Sequence, residues 1–237
     1  MLDLIASEIL RLDSYSAGYS GLIFSEVSLR VGSGDLLLVS GGNGAGKSTF
    51  LRGVLGLTPV ENGEIYFLGR DISSFSVGDR VSLGMAYLHQ NTGIFETLSI
   101  RDNIRLGWAL GRRERSGLVG FLEEVGRRFP WTKGRWGERA GHLSGGERRI
   151  IGVARALASG ARLLLLDEPL AGVASSNRHN VINWVKDNIS VLKASAIWVE
   201  HRAPELEKVS TNRLVLRTVV EGELNGDVAT REQPPDL

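Results

Sequence analysis

The sequence contains no cysteine. That excludes disulfides and thiolate metal sites, and it suits a reducing compartment. It also lacks any unbroken apolar run near the length of about 18 residues at which a membrane-spanning helix becomes plausible. Net charge is nearly absent: 28 lysines and arginines face 27 aspartates and glutamates, a formal charge of +1. No overall positive field therefore recommends nucleic acid as a partner. Met1 to Leu12 carries Asp3 and Glu8 and has no basic segment leading into an apolar one, so a secretory signal is not expected there. Any membrane role is expected to run through a partner. The 237 residues, 42% of them apolar, suffice for one large domain with a sizeable core. Glycine is plentiful, and the most informative stretch is built from it.

That stretch is Gly41-Gly42-Asn43-Gly44-Ala45-Gly46-Lys47-Ser48-Thr49. Its spacing is G-x-x-x-x-G-K-[ST]. Leu36-Leu37-Leu38-Val39 before it reads as a buried strand, and Phe50 to Leu55 after it continues as a helix. A phosphate-binding loop needs this strand–loop–helix setting. Glycines let the backbone curl so that successive N–H groups point at one anion, and the helix N-terminus adds partial positive charge. Lys47 would reach the β- and γ-phosphates, and Ser48 would offer an oxygen to Mg²⁺.

The rest of the chain supplies companions. Glu26 to Val31 alternates like a half-buried strand, and the first 35 residues look β-rich. Tyr15 and Tyr19 lie in a Ser/Gly-rich segment; either packs on the core or stacks on an adenine face. Met85-Ala86-Tyr87-Leu88 is a short strand followed by Gln90, which can reach a metal or water at a sheet's C-terminal edge. Residues 99–140 carry ten basic against five acidic residues, with apolar residues at helical spacing. They read as a helical subdomain with a basic surface, either solvated or laid against anionic lipid headgroups.

Leu143-Ser144-Gly145-Gly146-Glu147 combines an S-x-x-E capping box with two glycines in the first turn. It is a second helix terminus suited to an anion. Leu163-Leu164-Leu165-Leu166 is a strand buried on both faces, ending in Asp167 and Glu168. Asp167 could hold Mg²⁺, and Glu168 could polarise an attacking water. Asn180 to Leu192 is helical by period, Ala196 to Val199 is a strand leading to His201, and Leu214-Val215-Leu216 and Val219-Val220 look like closing strands.

In this order the motifs resemble the ATP-binding subunits of ABC transporters, over nearly all of residues 1–224. The implied fold is α/β: an ABC-type phosphate-loop ATPase core with an antiparallel β subdomain and a helical subdomain inserted at about 91–150. Residues 225–237 are expected to form a poorly ordered tail. The resemblance implies ATP and Mg²⁺ as cofactors. Tyr19 would stack on adenine; Gly41, Asn43, Gly44, Ala45, Gly46, Lys47, Ser48 and Thr49 would hold phosphates. Ser48, Gln90 and Asp167 would serve the metal, with Glu168 as catalytic base and Gln90 and His201 near the γ-phosphate. Ser144, Gly145 and Gly146 would bind the nucleotide of a second ATPase subunit, identical or homologous, in a head-to-tail dimer. Transmembrane permease subunits would be the other partners, placing the chain on the cytoplasmic face of the membrane.

Gly93 to Ser99, Arg128-Phe129-Pro130 and Leu170 to Val173 resemble the ATPases of branched-chain amino acid importers. Lipopolysaccharide-export ATPases share several of these features, so lipid export stays an alternative, as does a soluble assembly factor. Many members carry an aspartate a few residues after Asp-Glu-Pro; here the position is Ala174. A heterodimer is compatible with that departure.

Overall fold

The computed structural model describes residues 8–18, 24, 26–91, 93–111, 116–201, 204–216 and 231–232. The chain runs β1 (Glu8–Ala17), β2 (Val27–Gly32), β3 (Leu36–Gly41), α1 (Lys47–Leu55), β4 (Val60–Phe67), β5 (Arg70–Asp71), α2 (Val77–Ser82) and β6 (Met85–Leu88). It continues through α3 (Ile100–Leu110), α4 (Ser116–Arg128), α5 (Gly145–Ala158), β7 (Leu163–Asp167), α6 (Ser175–Leu192), β8 (Ser195–Val199), α7 (Pro204–Glu207), β9 (Asn212–Leu216) and β10 (Arg231–Glu232).

Strands without a polar face have to be covered on both sides. β3, β7 and β8 are such strands, and they lie inside a six-stranded sheet of order β10-β9-β3-β8-β7-β6. Its pairings are parallel from β9 to β6. The leucines of β7 divide by parity: Leu164 and Leu166 enter one core with Trp198 and the helices, while Leu163 and Leu165 enter the other with Phe50 of α1. The antiparallel sheet β2-β1-β4-β5 closes that second core. Between Gln90 and α5, among the described residues, the chain is helical or looped apart from an isolated bridge between Ser99 and Arg139.

Of the two readings of Tyr15, the structure supports packing on the core. The residue sits inside β1, fully buried, and its hydroxyl donates to the Phe50 carbonyl at 2.9 Å. Tyr19 and Val219-Val220 fall outside the described residues. Within the tail, Arg231–Glu232 pairs antiparallel with β9, a strand that nothing in the local sequence announces. Two arginines of the basic stretch are bound rather than simply solvated: Arg128 pairs with Glu124 and Asp187, and Arg135 with Glu138 and Glu147.

Candidate functional site

α1 begins without a side-chain cap. Its N-cap is Gly46, in the left-handed region at φ 84°, a conformation costly for a residue with a Cβ. The first-turn N–H groups therefore have no side-chain acceptor and are available to an anion. Lys47 is nearly buried, and its ammonium donates to the carbonyls of Gly41 at 2.9 Å and Gly42 at 2.8 Å. Two of three hydrogens are thus used, which fixes the direction of the third. Burial pulls the Lys47 pKa down, opposed by the charges of Glu168 and Asp167.

All the parallel strands point their C-terminal ends at this loop, the edge where open α/β sheets bind ligands. Asp167 closes β7 and is only 1% exposed. Its Oδ1 accepts from Ser48 Oγ at 3.1 Å and its Oδ2 from the Tyr87 hydroxyl at 3.2 Å. Burial raises its pKa against those two hydrogen bonds. Glu168 follows at φ 50°, a left-handed backbone for a non-glycine residue. Such a conformation costs about 1–2 kcal/mol, and here its N–H is secured to the Val199 carbonyl at 3.0 Å. Its carboxylate Oε1 lies 2.9 Å from His201 Nε2.

Asn43 to Thr49, Gln90, Glu168 and His201 line one cavity of about 300 Å³. Two larger concavities elsewhere have fewer convergent polar groups. Ser144, Gly145 and Gly146 are not part of this cavity's lining. They open α5, where the expected capping box forms: Glu147 N–H donates to Ser144 Oγ at 3.2 Å, and Ser144 N–H donates to Glu147 Oε2 at 2.8 Å. The two glycines do different things. Space around Gly145 is open, whereas a Cβ on Gly146 would come within 2.4 Å of the Gly172 carbonyl. Gly146 is therefore required by close packing inside the chain. Ala174 is the N-cap of α6 and provides no side-chain cap.

Three residues around the site were not legible as such. Tyr87 reads as an apolar strand residue, and only the β6–β7 register brings its hydroxyl to Asp167. Arg149, nearly buried, donates through Nη1 to the His89 carbonyl at 3.1 Å and so ties α5 to the residue before Gln90. Glu200 is 7% exposed, and its Oε1 accepts from the Leu170 N–H at 2.9 Å. Burial pushes its pKa up.

The arrangement fits a nucleoside triphosphate: uncapped N–H groups and a fixed ammonium meet negative phosphates, with a carboxylate opposite. Ser48 and Asp167 offer hard oxygen ligands of the type Mg²⁺ prefers. Among the described residues no group of three or more His, Cys, Asp or Glu side chains is placed to hold a metal ion by itself.

The sequence pattern of the ABC transporter family matches residues 24–171. The chain is 30% identical over 210 residues to the probable branched-chain amino acid transport ATP-binding protein LivF of Archaeoglobus fulgidus, covering 88% of each chain. It is 31% identical over 191 residues to the sulfate/thiosulfate import ATP-binding protein CysA of Synechococcus elongatus, covering 81% of this chain and 54% of that one. It thus spans about half the length of several sulfate relatives it matches. A solved structure described as the ATP binding subunit of an ABC transporter shares the fold, with a TM-score of 0.77 at 22% identity over 92% of this chain and 90% of that one.

Proposed function

The chain belongs to the ABC transporter family, whose ATP-binding subunits hydrolyse ATP, and from that premise we propose that it powers solute import through membrane permease subunits. The observation that supports this most is the single cavity where the phosphate loop, Gln90, Glu168 and His201 meet. In this reading the N–H groups of α1 and the Lys47 ammonium hold the β- and γ-phosphates. Glu168 takes a proton from the attacking water, and its strained backbone and His201 keep the carboxylate aimed at the γ-phosphate. Ser48, Asp167 and Gln90 would hold Mg²⁺, which supplies neutralisation of phosphate charge. Tyr87 and Ser48 orient the Asp167 carboxylate. Gly145 and the capped start of α5 would meet the nucleotide bound by a second ATPase subunit. We treat residues 1–224 as one such domain, with the helical part of 91–150 as its inserted unit.

A groove of about 510 Å³ runs between β6, α3 and α5, lined by Met85 to Leu88, Leu110 and Arg155. Phe95, 49% exposed and lying under the Arg155 guanidinium, marks the segment after Gln90. A groove of mixed polar and apolar lining next to an exposed phenylalanine offers a permease helix a docking face, which favours a transporter over a soluble assembly factor. Among the described residues no helix is long and apolar enough to cross a membrane. The likeness to transporter ATP-binding proteins supports a peripheral placement on the cytoplasmic face, through the permease subunits. The named relatives favour branched-chain amino acids or sulfate as the solute, and the longer match favours the former. Reconstitution with the membrane subunits in proteoliposomes tests this: ATP-driven uptake of leucine above that of sulfate is expected. Turnover coupled to outward movement of lipid would overturn the importer reading.

A further inference from the structure

Among the described residues, a further concavity is not used by the functions proposed above. It measures about 660 Å³ and follows α4, with Leu118, Leu122 and Trp136 along its wall and Arg101, Arg127 and Lys133 at its rim. Its volume lies within the range of roughly 300–1,000 Å³ that small-molecule sites occupy. Glu123 is the carboxylate that lines it, against three cations. The neighbouring Arg128 and Arg135 are committed to carboxylates, but among the described residues Arg101, Arg127 and Lys133 form no ion pair. Positive charge is therefore left over at the rim of an apolar groove.

Gly126 gives an independent indication. It lies in the last turns of α4 and faces the groove. A Cβ there would stand 3.6 Å from Lys133 Cγ and 3.6 Å from Trp136 Cζ2, ordinary contact distances. Nothing in the chain's own packing excludes alanine, which would favour the helix by about 1 kcal/mol. What glycine preserves is space between α4 and the Trp136 ring.

We infer that this groove is a binding site for an amphipathic organic anion, with a carboxylate or phosphate head at Arg101, Arg127 and Lys133 and an aliphatic or aromatic body along Leu118, Leu122 and Trp136. A free molecule fits a concave site better than a bilayer does, since a flat surface cannot enter it. Inorganic phosphate would satisfy the rim and leave the apolar wall wet.

The test is calorimetric titration of the full chain with decanoate below its micellar concentration, alongside 1-decanol, inorganic phosphate and phosphatidylglycerol vesicles. Decanoate is expected to bind at least about tenfold tighter than decanol or phosphate, as a charge-assisted contact allows. Gly126→Leu, which fills the groove, should abolish binding. The double variant Arg127→Gln, Lys133→Gln should weaken it about tenfold or more. Circular dichroism checks each fold; if Gly126→Leu does not fold, Gly126→Ala and the surface double variant carry the test. Equal binding of decanol or of phosphate would overturn the proposal. So would undiminished binding in the folded groove variants, or association with vesicles but not with dispersed decanoate.

Discussion

Replacing Glu168 with glutamine removes the carboxylate charge at the end of β7 while holding size and backbone constant. The left-handed turn and the N–H bond to Val199 do not involve the side chain, so the amide should occupy the same place. Its oxygen can still accept from His201, whose Nε2 is 2.9 Å from Glu168 Oε1. The loss is then confined to basicity. A positioned base contributes about 10²–10⁴ in rate, equivalent to roughly 2.7–5.5 kcal/mol of barrier. Binding should follow a different course. Lys47 loses one attractive neighbour but stays fixed by the Gly41 and Gly42 carbonyls. The γ-phosphate meanwhile escapes repulsion from a carboxylate. ATP affinity is therefore expected to hold or rise, and an ATP-bound dimer to accumulate on size-exclusion chromatography with Mg²⁺, while phosphate release falls by the stated factor. The assay needs the partner ATPase if that is a different chain. Release at the wild-type rate in the assembled pair would show that the base lies elsewhere, and loss of ATP binding would show that Glu168 supports the cavity rather than the chemistry.

Lys47→Ala should weaken nucleotide binding by about 10–150-fold, the equivalent of a lost charge-assisted contact of about 1.5–3 kcal/mol; calorimetry giving wild-type affinity would remove Lys47 from the site. Ser144→Arg should leave ATP binding to the single chain intact while blocking ATP-driven pairing, and monomer binding as weak as that of Lys47→Ala would contradict it. That variant also loses the cap on α5, about 1 kcal/mol, so its melting curve has to be compared alongside. Arg80→Met should cost about 3 kcal/mol or more, because the fully buried guanidinium donates to the carbonyls of Gly53, Val54, Ser73 and Phe75. Calorimetry should show a midpoint lower by about 6–12 °C for that loss in a chain of this size, and an unchanged midpoint would mean that water replaces the arginine. Ala174→Asp should supply the missing cap on α6 and stabilise by about 0.5–2 kcal/mol, visible as a higher midpoint; a fall would show that the α6 N-terminus cannot accommodate a carboxylate.

Motifs whose meaning lies in consecutive residues were legible. The phosphate loop, the capping box of Ser144 and Glu147, and the four leucines before Asp167 stand in the structure where the local chemistry placed them. The gathering of Gln90, Glu168 and His201 beside the loop follows from parallel strands sharing one edge, which the apolar runs suggested. What stayed hidden depends on partners distant in the chain. β1 shows no clean alternation of buried and exposed residues, because it lies between two strands over a core that takes Tyr15 and Ala17. Tyr87 is 80 residues from the carboxylate it binds, and Arg149 is 60 from its carbonyl. No local period distinguishes a buried arginine from a solvated one.

The order of the large sheet also sets a timetable for synthesis. β3, which carries the phosphate loop, pairs with β8 at residues 195–199 and β9 at 212–216, both from the last quarter of the chain. At about 5–20 residues per second, a ribosome that has just finished β3 needs roughly nine to thirty-five seconds to deliver both neighbours. During that interval the antiparallel pair of β1 and β2 can already close, while Leu36 to Val39 has two bare edges and no nucleotide site. A nascent-chain fragment ending before β8 should therefore be a client for chaperones.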